Sequence, residues 1–245
     1  NAIRAGQAFA ASIGQASLFA DENGEDERIV NWKKADRWDD RTLYTLERDA
    51  FGFCLTGDMF DSYRVEARNF SIPFKDVRDS REQQTIAGIV QSVRTIAGKR
   101  GTFAVVALSD GQTTMDVLVF AKAYENYKNM LKPDEMLIFT GKGRKDERSG
   151  GMSFVCDRVI TIEEMRVQKG ATLMLEIAEG QSLSAIRDLL HTGQNGDKGG
   201  VPCEVSISSK GVRAEVFLKD NYAPTDQLLN QLKNSDSVSV ARFVY

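Results

Sequence analysis

The sequence predicts an α+β protein: a five-stranded β-barrel, then a small βαββαβ C-terminal domain, with a helical segment in front. Three observations carry this prediction. Residues 83–161 alternate polar and apolar side chains with period two, interrupted once by a helical stretch at 121–131. The last 75 or so residues change rhythm to strand, helix, two strands, helix, strand. At 245 residues, 42% hydrophobic and 27% charged, the chain is long enough to bury two small cores without disulfide or metal staples.

Residues 1–13 (NAIRAGQAFAASI) are Ala-rich, with Ile3, Phe9 and Ile13 at helical spacing, and Gly14 ends the segment. The chain opens without Met and reads as part of a longer polypeptide. Gln15-Ala16-Ser17-Leu18-Phe19 comes next, and the run ADENGEDE then reads as a solvated linker. Residues 39–55 are predicted helical. Asp39 or Asp40 caps the start, Leu43, Leu46, Ala50, Phe53 and Cys54 share one apolar face, and Gly57 ends the helix. Residues 58–80 form a mixed connector.

In the barrel, QTIAGIVQSVRTIA is the first strand, with Gly88 marking a bulge or bend. TFAVVALSD and TTMDVLVF are the second and third strands. AKAYENYKNML is a helix broken at Pro133-Asp134, and EMLIFTGKG and MSFVCDRVITI are the last two strands. One helix between strands three and four is the connectivity of the OB-fold; a generic antiparallel sandwich is the alternative. In the C-terminal domain, ATLMLEIA, PCEVSIS, VRAEVFL and SVSVARFV are strands. Helices lie at SLSAIRDLLH and from Pro224-Thr225-Asp226 to Lys233, an order that matches the ferredoxin-like arrangement. The domains are thus 1–20 (helix tail and peptide), 21–80 (linker and connector), 81–165 (barrel) and 166–245 (C-terminal domain).

The net charge of −3 hides a segregation. Residues 21–61 hold 12 acidic side chains against 6 basic ones, whereas residues 81–158 hold 12 basic against 9 acidic. A basic barrel is compatible with nucleic acid. Lys99 and Arg100 fall in the loop between the first two strands. Lys142, Arg144, Lys145 and Arg148 follow the fourth strand, in the loop leading to the fifth. OB-folds bind oligonucleotides on strands two and three between these loops, with cations holding phosphates and aromatics stacking bases. Phe103 stacks a base if it points outward. Alternation leaves two settings open, with either Phe103, Val105 and Ala107 outward or Ala104, Val106 and Leu108.

No phosphate loop, metalloprotease helix or nucleophile with a base is present in the sequence. With one histidine, His191, zinc sites built on two histidines are excluded, and His191 reads as a helix-end residue. Cys54, Cys156 and Cys203 form no CxxC pair and read as buried thiols in a reducing cytoplasm. No apolar run approaches the roughly 18 residues of a membrane helix, so no membrane partner is expected.

QASLF at 15–19 resembles the short peptide by which bacterial proteins bind the sliding clamp: Gln, two variable residues, Leu, Phe. An exposed Leu18 and Phe19 suit an apolar pocket, and the Gln15 amide suits the backbone at its rim. LERDAFGFCLTGDMFDSYR at 46–64 resembles a segment of the bacterial DNA polymerase III alpha subunit, E-x-x-x-x-G-F-Y-L-[TS]-G-H-P-x-D-x-Y. It matches at Glu47, Gly52, Phe53, Leu55, Thr56, Gly57, Asp61 and Tyr63, with Cys54 in place of Tyr and Asp58-Met59 in place of His-Pro. IAGIV, LSDGQ, VLVF and KAYENYKNML resemble the OB domain of the same family.

The resemblance implies a C-terminal accessory region of a replicative polymerase. Gln15, Leu18 and Phe19 would hold the sliding clamp (the beta subunit), and the barrel would guide single-stranded template DNA. The end domain would bind the tau subunit of the clamp loader. Polymerase chemistry, with its metal-binding aspartates and Mg, would lie in the rest of the polymerase chain, so this part would carry no catalytic residue and no cofactor. A stand-alone OB-fold module for RNA or protein is the alternative, and the 46–64 segment discriminates, since such a module has no need of it.

Overall fold

A computed structural model describes residue 38 and residues 40–98, 101–145, 150–177, 180–181, 183–192, 199–209 and 212–245. The helix and clamp peptide expected in 1–20, the acidic stretch to 37, and Lys99, Arg100 and Arg148 lie outside the described residues.

The helical connector comes first. α1 (Asp40–Phe51) and α2 (Asp61–Ala67) precede a 3-10 turn at Phe74–Asp76. α1 ends at Phe51 rather than running to Gly57, because Gly52 takes a left-handed φ of +83° that terminates the helix. The apolar face predicted there is divided: Leu43 and Cys54 are half-buried and pack against the cluster around Tyr44 and Phe60, whereas Leu46, Ala50 and Phe53 are exposed. Glu47 closes the return of the chain. Its carboxylate accepts from the Leu55 and Thr56 N–H groups and from the Thr56 hydroxyl. The Thr56 N–H leads the bonds that hold this carboxyl below its usual pKa, against a burial effect that raises it. Gly57 is required by contact, since a Cβ there would lie 2.6 Å from the Tyr44 hydroxyl.

The barrel strands are β1 (Gln84–Gly98), β2 (Gly101–Ser109), β3 (Thr114–Val119), β4 (Met136–Lys145) and β5 (Met152–Thr161), with α3 (Ala121–Tyr127) between β3 and β4. They close in the order β1-β2-β3-β5-β4, sealed by parallel pairing of β3 with β5. This is the OB-fold barrel expected. Ile86, Val90, Val106, Leu108, Val117, Phe139 and Phe154 fill its interior. Each such burial is worth about 1.5–3 kcal/mol. The bulge in β1 falls between Val90 and Ser92, not at Gly88. Gly88 serves close packing: a Cβ there would lie 2.6 Å from the Ser109 carbonyl oxygen.

A second cluster packs α1 and α2 against the outside of the barrel, with Tyr44, Met59, Phe60 and Ala67 against Ala87, Ile89, Met136, Ile138 and Ile160. One side of the barrel is thereby covered.

After β5, α4 (Ile162–Gln168) starts with a capping box between Thr161 and Glu164. The C-terminal domain follows as β6 (Thr172–Ile177), α5 (Leu183–Thr192), β7 (Cys203–Ser209), β8 (Val212–Phe217), α6 (Asp226–Lys233) and β9 (Val238–Val244). The α+β class and the order of these six C-terminal elements are those predicted, whereas α4 is an additional helix where the sequence reads directly from the fifth barrel strand to β6. The strand order is β8-β7-β6-β9, with β6 and β7 parallel neighbours. A ferredoxin-like sheet would place β8 between β6 and β7; here β8 lies at the outer edge. All six β8 residues are exposed, and Arg213 and Glu215 sit on it, which suits an edge and not a sheet centre.

Arg166 of α4 joins the two β domains. It is 1% exposed. Its guanidinium donates to both carboxylate oxygens of Glu66 in α2, at 2.7 and 2.8 Å, and to the Pro224 carbonyl oxygen at 2.7 Å. It also pairs with Asp226 of α6 at 2.8 Å and lies 4.2 Å over the Phe243 ring. The Tyr63 and Tyr245 hydroxyls complete the set by donating to Asp226 and Glu66.

Candidate nucleic-acid interface

On the side of the barrel away from the connector, strand register shows which side chains point outward. Ala104, Val106 and Leu108 are fully buried, so Phe103, Val105 and Ala107 form the outward set of β2, with Val105 still buried between its strand neighbours at 9% exposed and Phe103 and Ala107 half-buried. The question left open by alternation is settled with Phe103 outward. In register with this set, β1 presents Arg94 and Ile96, since Arg94 pairs with Val105 and Ile96 with Phe103. On β3, Leu118 pairs with Val105. On the far side of β3, Leu118 pairs with Val155, which pairs with Lys142. One continuous row therefore runs Arg94, Val105, Leu118, Val155, Lys142, apolar in the middle with a cation at each end.

An aromatic pair adjoins this row. The rings of Phe103 and Phe120 lie 5.9 Å apart at 41°, and Phe120 is 49% exposed. An exposed Phe120 beside a half-buried Phe103, next to cations, suits a nucleobase, because every base has a π-face and every phosphate a charge. Phe120 was missed in the sequence because it ends the run VLVF, which reads as continuously apolar. The β2–β3 pairing shows that only Val117 and Val119 point inward.

Lys142, Arg144 and Lys145 are in β4 itself and not in the following loop, since β4 runs to Lys145. Lys142 and Arg144 pair with Val155 and Ser153, so they share the outward face, whereas Lys145 pairs with Met152 on the opposite parity. Two glycines make this possible. A Cβ on Gly141 would collide with the Val155 carbonyl oxygen, and one on Gly143 with the Arg78 carbonyl oxygen, where the 77–79 segment crosses β4. Arg94, which the sequence reading did not single out, makes one exposed ion pair with Asp116 at 3.7 Å. Such a pair contributes little, about 0–1 kcal/mol, and leaves Arg94 able to turn to a phosphate.

Among the described residues no three His, Cys, Asp or Glu side chains are grouped to hold a metal ion. Burial pushes the Cys156 and Cys203 thiols up to about 12, far from a reactive thiolate. His191 lies exposed in the last turn of α5. Among the described residues no helix is long and apolar enough to cross a membrane.

Residues 84–167 match a family model described as an OB-fold nucleic acid binding domain. The chain is 27% identical over 230 residues to the DNA polymerase III subunit alpha of Neisseria meningitidis serogroup B, covering 91% of this chain and 20% of that protein. It is 26% identical over 238 residues to the same subunit of Escherichia coli K12, covering 92% of this chain and 20% of that protein. The chain thus spans about a fifth of the length of the curated relatives it matches. Among solved structures, RecG bound to a three-way DNA junction aligns at 21% identity and a TM-score of 0.31, over 36% of this chain and 12% of that one.

Proposed function

We propose that this chain, related over about nine-tenths of its length to the alpha subunit of bacterial DNA polymerase III, is a C-terminal accessory region of a replicative polymerase. In this reading it holds the polymerase to its template and its partners in the cytoplasm, and nucleotide transfer belongs to the rest of the subunit. The observation that carries it is the coincidence of the alpha-subunit match with an open, cation-flanked aromatic face on the barrel. The barrel contacts single-stranded DNA through Phe103, Phe120, Arg94, Lys142 and Arg144, joined by Lys99, Arg100, Lys145 and Arg148. Gln15, Leu18 and Phe19 bind the sliding clamp, and the C-terminal sheet domain binds the tau subunit of the clamp loader.

The physical logic is effective concentration. Several contacts of modest strength on one chain keep the polymerase on DNA without one very tight interface, and each can still be released. The 46–64 segment favours this reading over a free OB module. Glu47, Thr56 and Gly57 shape the return after α1, and Tyr63 reaches Asp226 in the C-terminal domain. The segment therefore builds a platform that integrates three parts.

The clamp contact is tested by calorimetric titration of the chain into purified sliding clamp. The wild-type chain gives saturable heat, and the triple substitution Gln15→Ala, Leu18→Ala, Phe19→Ala abolishes it. Equal heats from both proteins would remove the peptide from the account.

A further inference from the structure

A second basic site lies apart from the open face, in a cavity of about 140 Å³ between the connector and the β2–β3 turn. Arg64, Arg68 and Lys75 bring three cations to its walls, and Ala67, Ile72 and Pro73 give it an apolar floor. We propose that this cavity is a phosphate-binding site that takes a phosphodiester of single-stranded nucleic acid. The assignment rests on the nucleic-acid reading above for the source of its ligand.

The cavity is built for an anion. Arg64 is held in place before any ligand arrives. Its Nε and Nη2 donate to Asp61 Oδ1, its Nη1 donates to the Asp110 carbonyl oxygen at 3.3 Å, and it lies 5.6 Å over the Phe60 ring. A guanidinium has five N–H donors. Three are engaged here, two of them by the Asp61 carboxylate, which leaves one N–H each on Nη1 and Nη2. Gly111 makes room for this placement, since a Cβ there would lie 2.7 Å from Arg64 Nη2.

Two carboxylates bear on these cations: Asp61, which pairs with Arg64 and offsets its charge, and Asp110 in the wall, which leaves Arg68 and Lys75 as the unoffset charges. Asp110 is buried, and its carboxylate already accepts from the N–H groups of Phe74, Gln112 and Thr113 and from the Thr113 hydroxyl. Those donors offset its charge locally and fix the turn. Arg68 and Lys75 are exposed, and their stems can follow an incoming phosphate. Two exposed cations beside the fixed Arg64 fit a backbone phosphate, and the apolar floor fits the sugar attached to it.

The test uses the whole chain and two probes. In a proton–nitrogen NMR titration with inorganic phosphate, the Ser71 and Gln112 amide signals shift in the wild type. They stay still in the double variant Arg68→Ala, Lys75→Ala, with Arg68→Gln, Lys75→Gln as a second pair should the first fold poorly. In fluorescence anisotropy with labelled oligo(dT), the same variant binds about three- to tenfold more weakly, and its salt slope falls by about 1.4. Phosphate shifts without any change in oligonucleotide affinity would overturn the nucleic-acid source and leave a free-phosphate site. No shifts and no affinity change would overturn the site itself. In that case a response to Lys142→Ala, Arg144→Ala keeps the open-face reading standing. If oligo(dT) binds no form of the chain, the open-face reading and the nucleic-acid source both fall, and the phosphate titration alone decides the cavity.

Discussion

Replacing Arg166 with Met lowers the free energy of unfolding by about 3–5 kcal/mol, read from urea denaturation midpoints. Met fills a similar volume, so the loss is not a cavity effect. It arises because Glu66 and Asp226 remain, their carboxylates largely withdrawn from water and deprived of the guanidinium between them. The Tyr245 and Tyr63 hydroxyls still donate one hydrogen bond to each, which does not replace a charge. Arg166→Lys falls between the two proteins, since a single ammonium cannot satisfy Glu66 bidentately and also reach Asp226 and Pro224. An unchanged midpoint in the Met variant would mean that the two domains are held by apolar packing alone.

The double substitution Phe103→Ala, Phe120→Ala weakens oligo(dT) binding by ten- to a hundredfold. Base–aromatic stacking is worth about 1–3 kcal/mol per base, and one or two bases are at stake. The rings lie on the outer surface of the barrel, away from the interior formed by Ala104, Val106 and Leu108, so the fold survives their removal. Salt separates this effect from that of the cations. Losing the rings lowers affinity at every ionic strength with the slope unchanged. Losing Lys142 and Arg144 lowers affinity chiefly at low salt and flattens the slope by about 1.4. If the aromatic variant binds as tightly as the wild type across the salt range, the bases do not stack on this face.

The parts of this protein that were legible in its sequence are those set by local pattern. Period-two alternation around one helical stretch is enough to order five barrel strands, because each strand must bury one face in the shared core. The C-terminal elements were legible in order but not in arrangement. Whether β8 enters the sheet or borders it depends on pairing between distant strands, and only the charges on Arg213 and Glu215 hint at an edge. The end of α1 was misplaced because Gly52 and Gly57 are both plausible stops, and the left-handed φ at Gly52 decides between them. Phe120 hid at the end of an apolar run. Arg166 hid in a short helix where an arginine reads as surface. Its partners lie 100 positions upstream at Glu66 and 58 positions downstream at Pro224, beyond the reach of any local pattern.

The most direct test of the central claim, that the open barrel face holds single-stranded DNA, is photocrosslinking to a 5-iodouracil-substituted oligonucleotide, followed by mapping of the modified peptides. Adducts concentrated on Phe103 and Phe120, lost when excess unlabelled oligo(dT) is added, are the predicted result. Adducts confined to the C-terminal sheet domain, or none above the level given by an unrelated basic protein, would contradict it.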